Sequence, residues 1–469
     1  MPQQNESTEL PLSKEQNSAS DQINTLTSSN KNFSGRRFAG GILAPLGIRN
    51  FRLLFGGQTI STLGDAFYAV ALPWLVLTTS GSTQELGIVL TTYGIPRVGC
   101  ILLGGMLSDR LRPRRVMLLT DAVRAVLVGI LAALALWGHP NMWQLIAVAV
   151  PLGAFEGIFL PATSSMLPEV LDDADLQAGN ALNMSSMQLA NLLGSGIAGI
   201  VVSTLQSGVA LALDALSFVI SAISLAAMRG RKQTAIANAT ETVQPVETLN
   251  AVAEGVTGSV TIPETEGPEK APVTTLDMTF WRLLQTSSVI QVALVVVVVA
   301  NLTFGGMLEV ALPALARGTF AAGAGGFGLM LSAFGAGALI GGLGTGMLGS
   351  IPHRGLLALL AGLFQAFTVA FIPYGGLAGA TVCMFAMGVS NSFTNVIFLT
   401  ILQQISPRHL LGRTMALIFL ASFGTYPLSV AAAGFLVARF GPTFLFPVSG
   451  AALFLAIGFG LLRPELREL

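Results

Sequence analysis

Twelve long apolar runs divide the chain of 469 residues, and they limit its fold more than any other feature. A helix needs roughly 20 mostly apolar residues to cross a bilayer, and each run is about that long or longer. Open sheets cannot lie in lipid, and membrane barrels show alternating strands instead of continuous apolar runs. The runs lie at about 51–78, 84–108, 115–137, 142–163, 178–205, 208–228, 286–313, 323–349, 355–374, 378–404, 412–438 and 442–462. They predict an all-α integral membrane fold with twelve transmembrane helices.

The composition excludes a water-soluble globule. Only 10% of the residues are charged and 52% are hydrophobic, whereas soluble domains carry about a quarter charged residues. The formal net charge is zero, so no overall positive field attracts nucleic acid. We expect the lipid bilayer as the surroundings of the chain and no nucleic acid partner.

Polar segments flank and divide the apolar runs. Residues 1–40 are rich in Ser, Asn, Gln and Thr, and residues 229–285 are rich in Thr, Glu and Pro. Such compositions predict a disordered tail and a flexible linker, with a short surface helix at 276–284. The predicted divisions are a tail at 1–40, a six-helix bundle at 41–228, a linker at 229–285, a second bundle at 286–464 and a C-terminal tail at 465–469.

The distribution of basic residues predicts the orientation in the membrane. With twelve spans, both termini lie on the same side. Of the 24 Lys and Arg residues, only Arg317 and Arg439 fall in loops on the opposite side. Because basic residues accumulate in cytoplasmic loops, we expect both termini and the linker in the cytoplasm. We expect a multi-pass protein of the inner (cytoplasmic) membrane.

A charged hairpin between the second and third runs has a fainter copy in the second half of the chain. Residues 104–115 contain Asp109 and four arginines, and residues 346–354 repeat the pattern with Arg354 alone. Residues 71–73 match 311–313, and residues 176–182 match 411–417, in the same order and at nearly constant spacing. Repeats of this kind predict two pseudo-symmetric six-helix bundles.

Several of these segments resemble the major facilitator superfamily, and within it the bacterial exporter branch of macrolide-efflux and enterobactin-exporter proteins. The resemblance extends over roughly residues 49–464 and is carried by residues 50–54, 57–58, 63–65, 71–77, 105–115, 161–162 and 214–218. Two features depart from the family pattern. Arg112-Pro113 lengthens the charged hairpin, and Gly194-Ser195 stands where proton-linked exporters often carry Gly-Pro.

The resemblance implies a secondary active transporter that works by alternating access. Its two bundles would rock around a central cavity lined by helices 1, 4, 7 and 10. We expect a proton-coupled exporter of amphipathic small molecules such as drugs, antibiotics or secondary metabolites, acting as a monomer. An importer or facilitator of a small metabolite remains an alternative, as does a non-transporting membrane sensor or scaffold.

Ionisable residues inside the apolar runs are the candidates for proton coupling or substrate binding, because buried charge in a membrane is costly. Asp65 and Glu156 lie near the middle of helices 1 and 4, and either one can also form a structural ion pair with Arg97 on helix 2. Glu309 lies toward the outer end of helix 7. Asp214 on helix 6 is predicted to bond locally with Ser217.

Two further groups are candidates for the cavity and the cytoplasmic gate. The resemblance implies that Asp109 faces the start of helix 11, near Gly412-Arg413, and a topology signal is the alternative role for this hairpin. Asn391 and Asn395 share a helix face that lines a cavity or holds helices together. The predicted cavity lining is Gln58, Thr62, Tyr68, Tyr93, Asn391, Asn395 and Phe398. The predicted gate is Asp109, Arg110, Arg114, Arg115, Asp121 and Arg124.

Other motifs point away from enzymatic function. Residues 194–199 match the Gly-x-Gly-x-x-Gly fingerprint of dinucleotide-binding proteins, but no strand precedes them, and small residues in a membrane helix serve close packing. No phosphate-binding loop ending in Lys-Ser/Thr is present. Cys100 and Cys383 are expected to be free, and His139, His353 and His409 fall in predicted loops. We therefore predict no cofactor, no metal site and no enzyme activity.

Overall fold

The computed structural model describes residues 41–138, 140–229, 287–347, 354–406 and 410–462. The predicted N-terminal tail, nearly all of the linker with its surface helix, the centre of the second hairpin, the three histidines and the C-terminal tail lie outside these residues. Within them, twelve helices are long and apolar enough to cross a membrane. The prediction of an all-α fold with twelve spans is confirmed.

The twelve spans are numbered α1 to α12 in chain order. They are α1 (Arg49–Ser80), α2 (Thr83–Arg110), α3 (Pro113–Trp137), α4 (Met142–Val170), α5 (Asp173–Leu205), α6 (Ser207–Ala227), α7 (Ser288–Gly306, Met307–Ala311 and Leu312–Arg317 without a break), α8 (Gly323–Met347), α9 (Arg354–Phe371), α10 (Gly376–Ile405), α11 (Leu411–Phe440) and α12 (Pro442–Leu461).

Local sequence explains where several helices begin. Pro113 is the first residue of α3, a position where the missing N–H of proline costs nothing and its fixed φ suits the helix. The Arg112-Pro113 departure therefore ends the hairpin by starting the next helix. Asn141 and Gln144 form a reciprocal capping box at the start of α4, which satisfies two backbone N–H groups there.

Helix pairing repeats between the two halves of the chain. In the first half, α1 packs on α5 and α6, α2 on α4, and α3 on α4 and α6. The same pairs recur six helices later, with α7 on α11 and α12, α8 on α10, and α9 on α10 and α12. The chain thus forms two six-helix bundles of equivalent arrangement, as the internal repeats predicted.

The two bundles contact each other mainly through α2 with α11 and α5 with α8. A methyl group on Gly87 would come within 2.9 Å of the Cα of Gly434, and one on Gly199 within 2.9 Å of the Cα of Gly328. Arg317 also donates a hydrogen bond to the backbone carbonyl of Leu77. These contacts lie in the half of the bundles that holds the end of α1, far from the charged hairpin, so this end is closed.

The fingerprint-like segment at 194–199 lies inside α5. A methyl group on Gly194 would meet Ala66 of α1, and one on Gly196 would meet Ser332 of α8. The Ser195 hydroxyl lies 3.2 Å from that of Ser332. The segment therefore packs helices together, across the boundary between the bundles, instead of forming a nucleotide loop.

Candidate functional site

Arg124 on α3 is the centre of a buried ionic cluster in the first bundle. Its Nη2 atom lies 2.8 Å from Asp65 Oδ1 on α1 and 4.0 Å from Glu156 Oε2 on α4. Its Nη1 atom lies 3.8 Å from Asp121 Oδ1, one turn away on the same helix. The guanidinium also stacks on the Phe218 ring, 4.1 Å from its centroid. One cation thus holds three helices together through their carboxylates.

Glu156 joins this cluster to a second arginine. Its Oε1 atom lies 3.1 Å from Arg97 Nη2 on α2, and its Oε2 atom accepts a hydrogen bond from the Tyr93 hydroxyl. The Tyr93 ring lies under the Arg97 guanidinium, 5.9 Å away, and its centroid is 6.4 Å from that of Tyr68. The ion pair of Glu156 with Arg97, one of the two predicted alternatives, is present.

The partner of Asp65 differs from the one considered from the sequence. Asp65 pairs with Arg124, not with Arg97. The sequence assigned Arg124 and Asp121 to the cytoplasmic gate, but their contacts put them in this buried cluster. One sequence shows how deep in the membrane a residue lies along its helix. It does not show how each helix is rotated about its axis, and this rotation decides which residues form ion pairs.

Exposure differs sharply among the members of the cluster. The side chain of Asp65 is 47% exposed, whereas those of Arg124 and Asp121 are 4% and 0% exposed. Arg97 and Glu156 are 20% exposed. Asp65 is therefore the member most open to a solute, and Arg124 lies behind it.

Asp214 on α6 is a fourth carboxyl group in this bundle. The predicted local bond is present, since the Ser217 hydroxyl lies 3.5 Å from Asp214 Oδ1. Oδ2 has no hydrogen-bond partner among the described residues. Gly64, which precedes Asp65, packs against this pair, and a methyl group there would come within 2.6 Å of Asp214 Oδ1. The first bundle thus buries more carboxyl groups than arginines.

Gln58, a predicted cavity residue, points into the first bundle instead, and the hydroxyl of Thr62 bonds within its own helix. The Gln58 side-chain amide donates to the Ser221 hydroxyl at 3.3 Å, and Ser221 donates to Asp121 Oδ2 at 2.7 Å. The Thr62 hydroxyl bonds the Gln58 backbone carbonyl at 2.9 Å. Gln58 therefore supports the buried end of the ionic cluster, because the face of α1 that carries it turns toward α6.

The ionic cluster reaches the second bundle through Arg97. Its guanidinium carbon lies 5.5 Å from the centroid of the Phe423 ring on α11, within the range of a cation–π contact. One turn further along α11, the Tyr426 hydroxyl donates to the Glu309 carboxylate of α7. Neither Phe423 nor Tyr426 was identified from the sequence, because aromatic residues in an apolar run look like ordinary packing.

Glu309 lies in a π-helical segment, Met307–Ala311, within α7. Such single-turn insertions widen a helix locally and are frequent at functional sites. The sequence identified Glu309 as an intramembrane carboxylate but gave no sign of the π segment. The nearby Gly305 and Gly306 allow α11 to approach, since a methyl group on Gly306 would collide with the Ala433 side chain.

A cavity of about 420 Å³ lies between the two bundles. Its lining comes from α1, α5, α7, α8 and α10, including Asn191, Ser195, Asn391 and Asn395. Three of the four helices expected to line a central cavity contribute to it, and α5 and α8 also do. Of the predicted lining residues, Asn391 and Asn395 border this space.

A second cavity, of about 230 Å³, lies inside the second bundle between α7, α9, α10, α11 and α12. Phe398, a predicted lining residue, borders this cavity, as do Asn391 and Asn395. The side of α10 that carries the two asparagines therefore borders both compartments. Asn301, Gln365, Ser422 and Ser449 also belong to the polar lining and were not identified from the sequence.

The charged hairpin is held against the end of α6. Arg114 donates to the backbone carbonyls of Leu225 and Ala226, both at 2.8 Å, and so satisfies acceptors that the end of a helix leaves open. Arg110 and Arg115 are exposed. The side chain of Asp109 lies outside the described residues, so its predicted gate contact stays a prediction.

Known proteins place this architecture in a family. Residues 54–429 match the model of the Major Facilitator Superfamily. The multidrug efflux pump Tap of Mycobacterium tuberculosis is 29% identical over 185 residues, which are 38% of this chain and 44% of that protein. The chain thus matches less than half the length of this relative. The enterobactin exporter EntS of Citrobacter koseri is 26% identical over 365 residues, 77% of this chain and 79% of that protein.

Solved structures share the fold at low identity. The nucleoside transporter NupG, in the form of a point mutant, has a TM-score of 0.64 at 12% identity and covers 88% of this chain and 99% of its own. The peptide transporter POT in complex with sulfate has a TM-score of 0.64 at 16% identity, covering 90% and 95%. The resemblance to the exporter branch inferred from the residues is confirmed by the two efflux proteins, and the chain belongs to the major facilitator superfamily.

Proposed function

We propose that this chain is a secondary active exporter of the cytoplasmic membrane that exchanges protons for small amphipathic molecules. The observation that carries the proposal is the ionic cluster around Arg124 and Arg97. Three carboxylates contact these two arginines directly, and Asp214 lies beside them. Unpaired charge is costly away from water, so a cluster with more carboxyl groups than arginines is suited to bind and release a proton.

Asp65 is the group that we assign to proton exchange. It is the most exposed member of the cluster and has a single arginine partner at 2.8 Å. Protonation would weaken that pair and free one Arg124 Nη atom to move toward Glu156, now 4.0 Å away. A proton on Asp65 would thereby change the environment of Glu156 without any movement of the backbone.

We assign to Arg97 the coupling of protonation to alternating access. It binds Glu156 in the first bundle and stacks on Phe423 of the second. Stronger pairing of Glu156 with Arg124 would loosen Arg97 and with it the contact between α2 and α11. Since α2 and α11 continue from this contact to the closed end, where they pack together, that loosening is the step that would open it.

Relatives support the direction of transport. Tap and EntS are named as an efflux pump and an exporter, and basic residues favour a cytoplasmic hairpin, which makes the closed end the outer one. That is the state from which an exporter would take its substrate. We retain Asp109 as a gate residue, and we expect Asp109→Ala to abolish export while the protein still reaches the membrane.

An efflux assay in cells that lack other exporters tests the proposal. Wild-type protein should lower the accumulation of some compounds in a panel of cationic and neutral amphipathic molecules, and a protonophore should remove the difference. Asp65→Asn and Glu156→Gln should reduce export at least tenfold, while Glu85→Gln, at the start of α2, should leave it unchanged. Higher accumulation with wild-type protein would indicate an importer. No change with any compound would favour a sensor or scaffold.

A further inference from the structure

The cavity inside the second bundle is lined by neutral polar groups from five different helices. Asn301, Gln365, Asn391, Ser422 and Ser449 come from α7, α9, α10, α11 and α12 respectively. The remaining described lining is apolar or carries a hydroxyl or amide, and none of it is charged. Such a surface can hold hydrogen-bonding groups but offers no counter-ion. It therefore suits an uncharged ligand.

Polar residues in membrane helices often serve only to join helices, and Asn301 does this. Its amide donates to the Val297 carbonyl at 2.9 Å and lies 3.5 Å from the Ser422 hydroxyl. Gln365, Asn391 and Asn395 differ, because their side-chain amides make no hydrogen bond with any described residue. Gln365 is only 6% exposed. Buried polar groups are normally hydrogen-bonded, so the Gln365 amide is not explained by helix packing. Asn391 is half-buried and Asn395 is exposed, so their amides are accessible to a ligand.

The cavity shares part of its lining with the space between the bundles. Asn391 and Asn395 border both compartments. At about 230 Å³ and 420 Å³, the two together reach the size of typical small-molecule sites, about 300–1,000 Å³. Asn391 and Asn395 therefore lie at the boundary of the two compartments, within reach of a ligand in either.

We propose that this cavity is a second substrate compartment, which takes an uncharged, hydrogen-bonding part of the transported molecule, such as an amide, ester or hydroxyl-bearing group. The proposal rests on the proposed function, since it assigns the compartment to a transported substrate. Gln365, Asn391 and Asn395 would bind the group, and the ionic cluster of the first bundle would remain free for the proton. The compartment favours neutral molecules over permanent cations.

Replacement of the buried amide tests the proposal in cells. Gln365→Leu keeps the size of the side chain and removes its hydrogen bonds. Export of neutral probes such as chloramphenicol should fall about tenfold, since a buried partner is lost, while export of ethidium should stay within twofold. Gln291→Leu, on an exposed face of α7, is the matched control. Equal loss for both probes, or no loss for either, would overturn the proposal.

A labelling experiment decides the question without transport. Ser449→Cys is placed in full-length protein that carries Cys100→Ala and Cys383→Ala, and its reaction with N-ethylmaleimide is followed in lipid nanodiscs. A panel of neutral amides and esters that includes chloramphenicol should slow labelling at least fivefold, ethidium should not, and Val448→Cys should not respond. Lack of labelling would mean that the cavity is closed, and labelling that none of the neutral compounds slows would mean that it holds only water. Either result would overturn the proposal.

The two experiments separate this proposal from the proposed function. Protection of Ser449→Cys together with no export of any compound by wild-type cells would support the binding compartment and reject the exporter. Export that Gln365→Leu and the neutral compounds leave unaffected would support the exporter and reject the compartment.

Discussion

The two bundles share one helix arrangement but bury opposite kinds of chemistry. In the first bundle, Arg124 and Arg97 hold a cluster of carboxylates. The polar lining of the cavity in the second bundle consists of neutral amides and hydroxyls. Glu309, an intramembrane carboxylate of that bundle, accepts a hydrogen bond from Tyr426. The same arrangement of helices therefore does not determine which side chains lie between them. We interpret the difference as a division of work, with the proton in the first bundle and the uncharged part of the substrate in the second.

Removing the central cation should give the largest effect. Arg124→Met leaves Asp65 and Asp121 without their partner, and breaking a buried ion pair in this way costs about 3–5 kcal/mol. We expect export to fall more than 100-fold and the thermal unfolding temperature of the purified protein to drop. Arg439→Met, at the exposed end of α11, is the control.

A second substitution shows whether Arg124→Met destabilises the protein by leaving carboxylates uncompensated or by disturbing side-chain packing. Adding Asp65→Asn to Arg124→Met removes one of the stranded carboxylates, so the double variant should unfold at a higher temperature than Arg124→Met alone. A double variant that unfolds at a lower temperature would mean that Arg124 serves packing and not charge compensation.

The links between the fifth and sixth helices of each half should respond in opposite directions. Gln206 has φ of 83° and ψ of 160°, and Gly441 has 84° and 161°, a conformation that only glycine adopts without strain of about 1–3 kcal/mol. Gln206→Gly should raise the unfolding temperature and Gly441→Gln should lower it. Equal shifts of the same sign would show that the two links are not equivalent.

The contact of Arg97 with Phe423 should have a smaller effect on conformation. Phe423→Leu removes a cation–π contact of about 0.5–2 kcal/mol between the bundles, near the middle of α2 and α11. In a cysteine-free background, spin labels at Ser80→Cys and Gly318→Cys should report longer distances in this variant. Phe435→Leu, exposed on the same helix, is the control. An unchanged distance distribution would remove Arg97 from the proposed coupling.

The smallest effect is expected for a polar residue that joins helices in the second bundle. Asn301→Leu loses its hydrogen bonds to Val297 and Ser422, and interhelical hydrogen bonds in membranes average about 0.6 kcal/mol. Its unfolding temperature should change far less than that of Arg124→Met. A comparable drop would mean that neutral contacts stabilise this bundle as strongly as ions stabilise the other.

The sequence was sufficient for the fold and for part of the site. Span lengths and the repeated segments identified twelve helices in two bundles, because lipid requires long apolar helices. Asp65, Glu156 and Arg97 were identified because charge inside an apolar run is costly. Their partners were not, since a one-residue change in helix rotation moves a side chain by about 100°. Arg124 was assigned to the gate for this reason, and Gln365, a single amide in an apolar run, gave no signal.

Proton movement measured in proteoliposomes tests the central claim most directly. Purified protein is reconstituted with a pH indicator inside, and a transported compound from the panel is added outside against an acidic lumen. We predict that wild-type protein takes up the compound and releases protons from the lumen, and that Asp65→Asn stops proton release. Proton release that continues in Asp65→Asn, at the wild-type ratio to compound, would contradict the account.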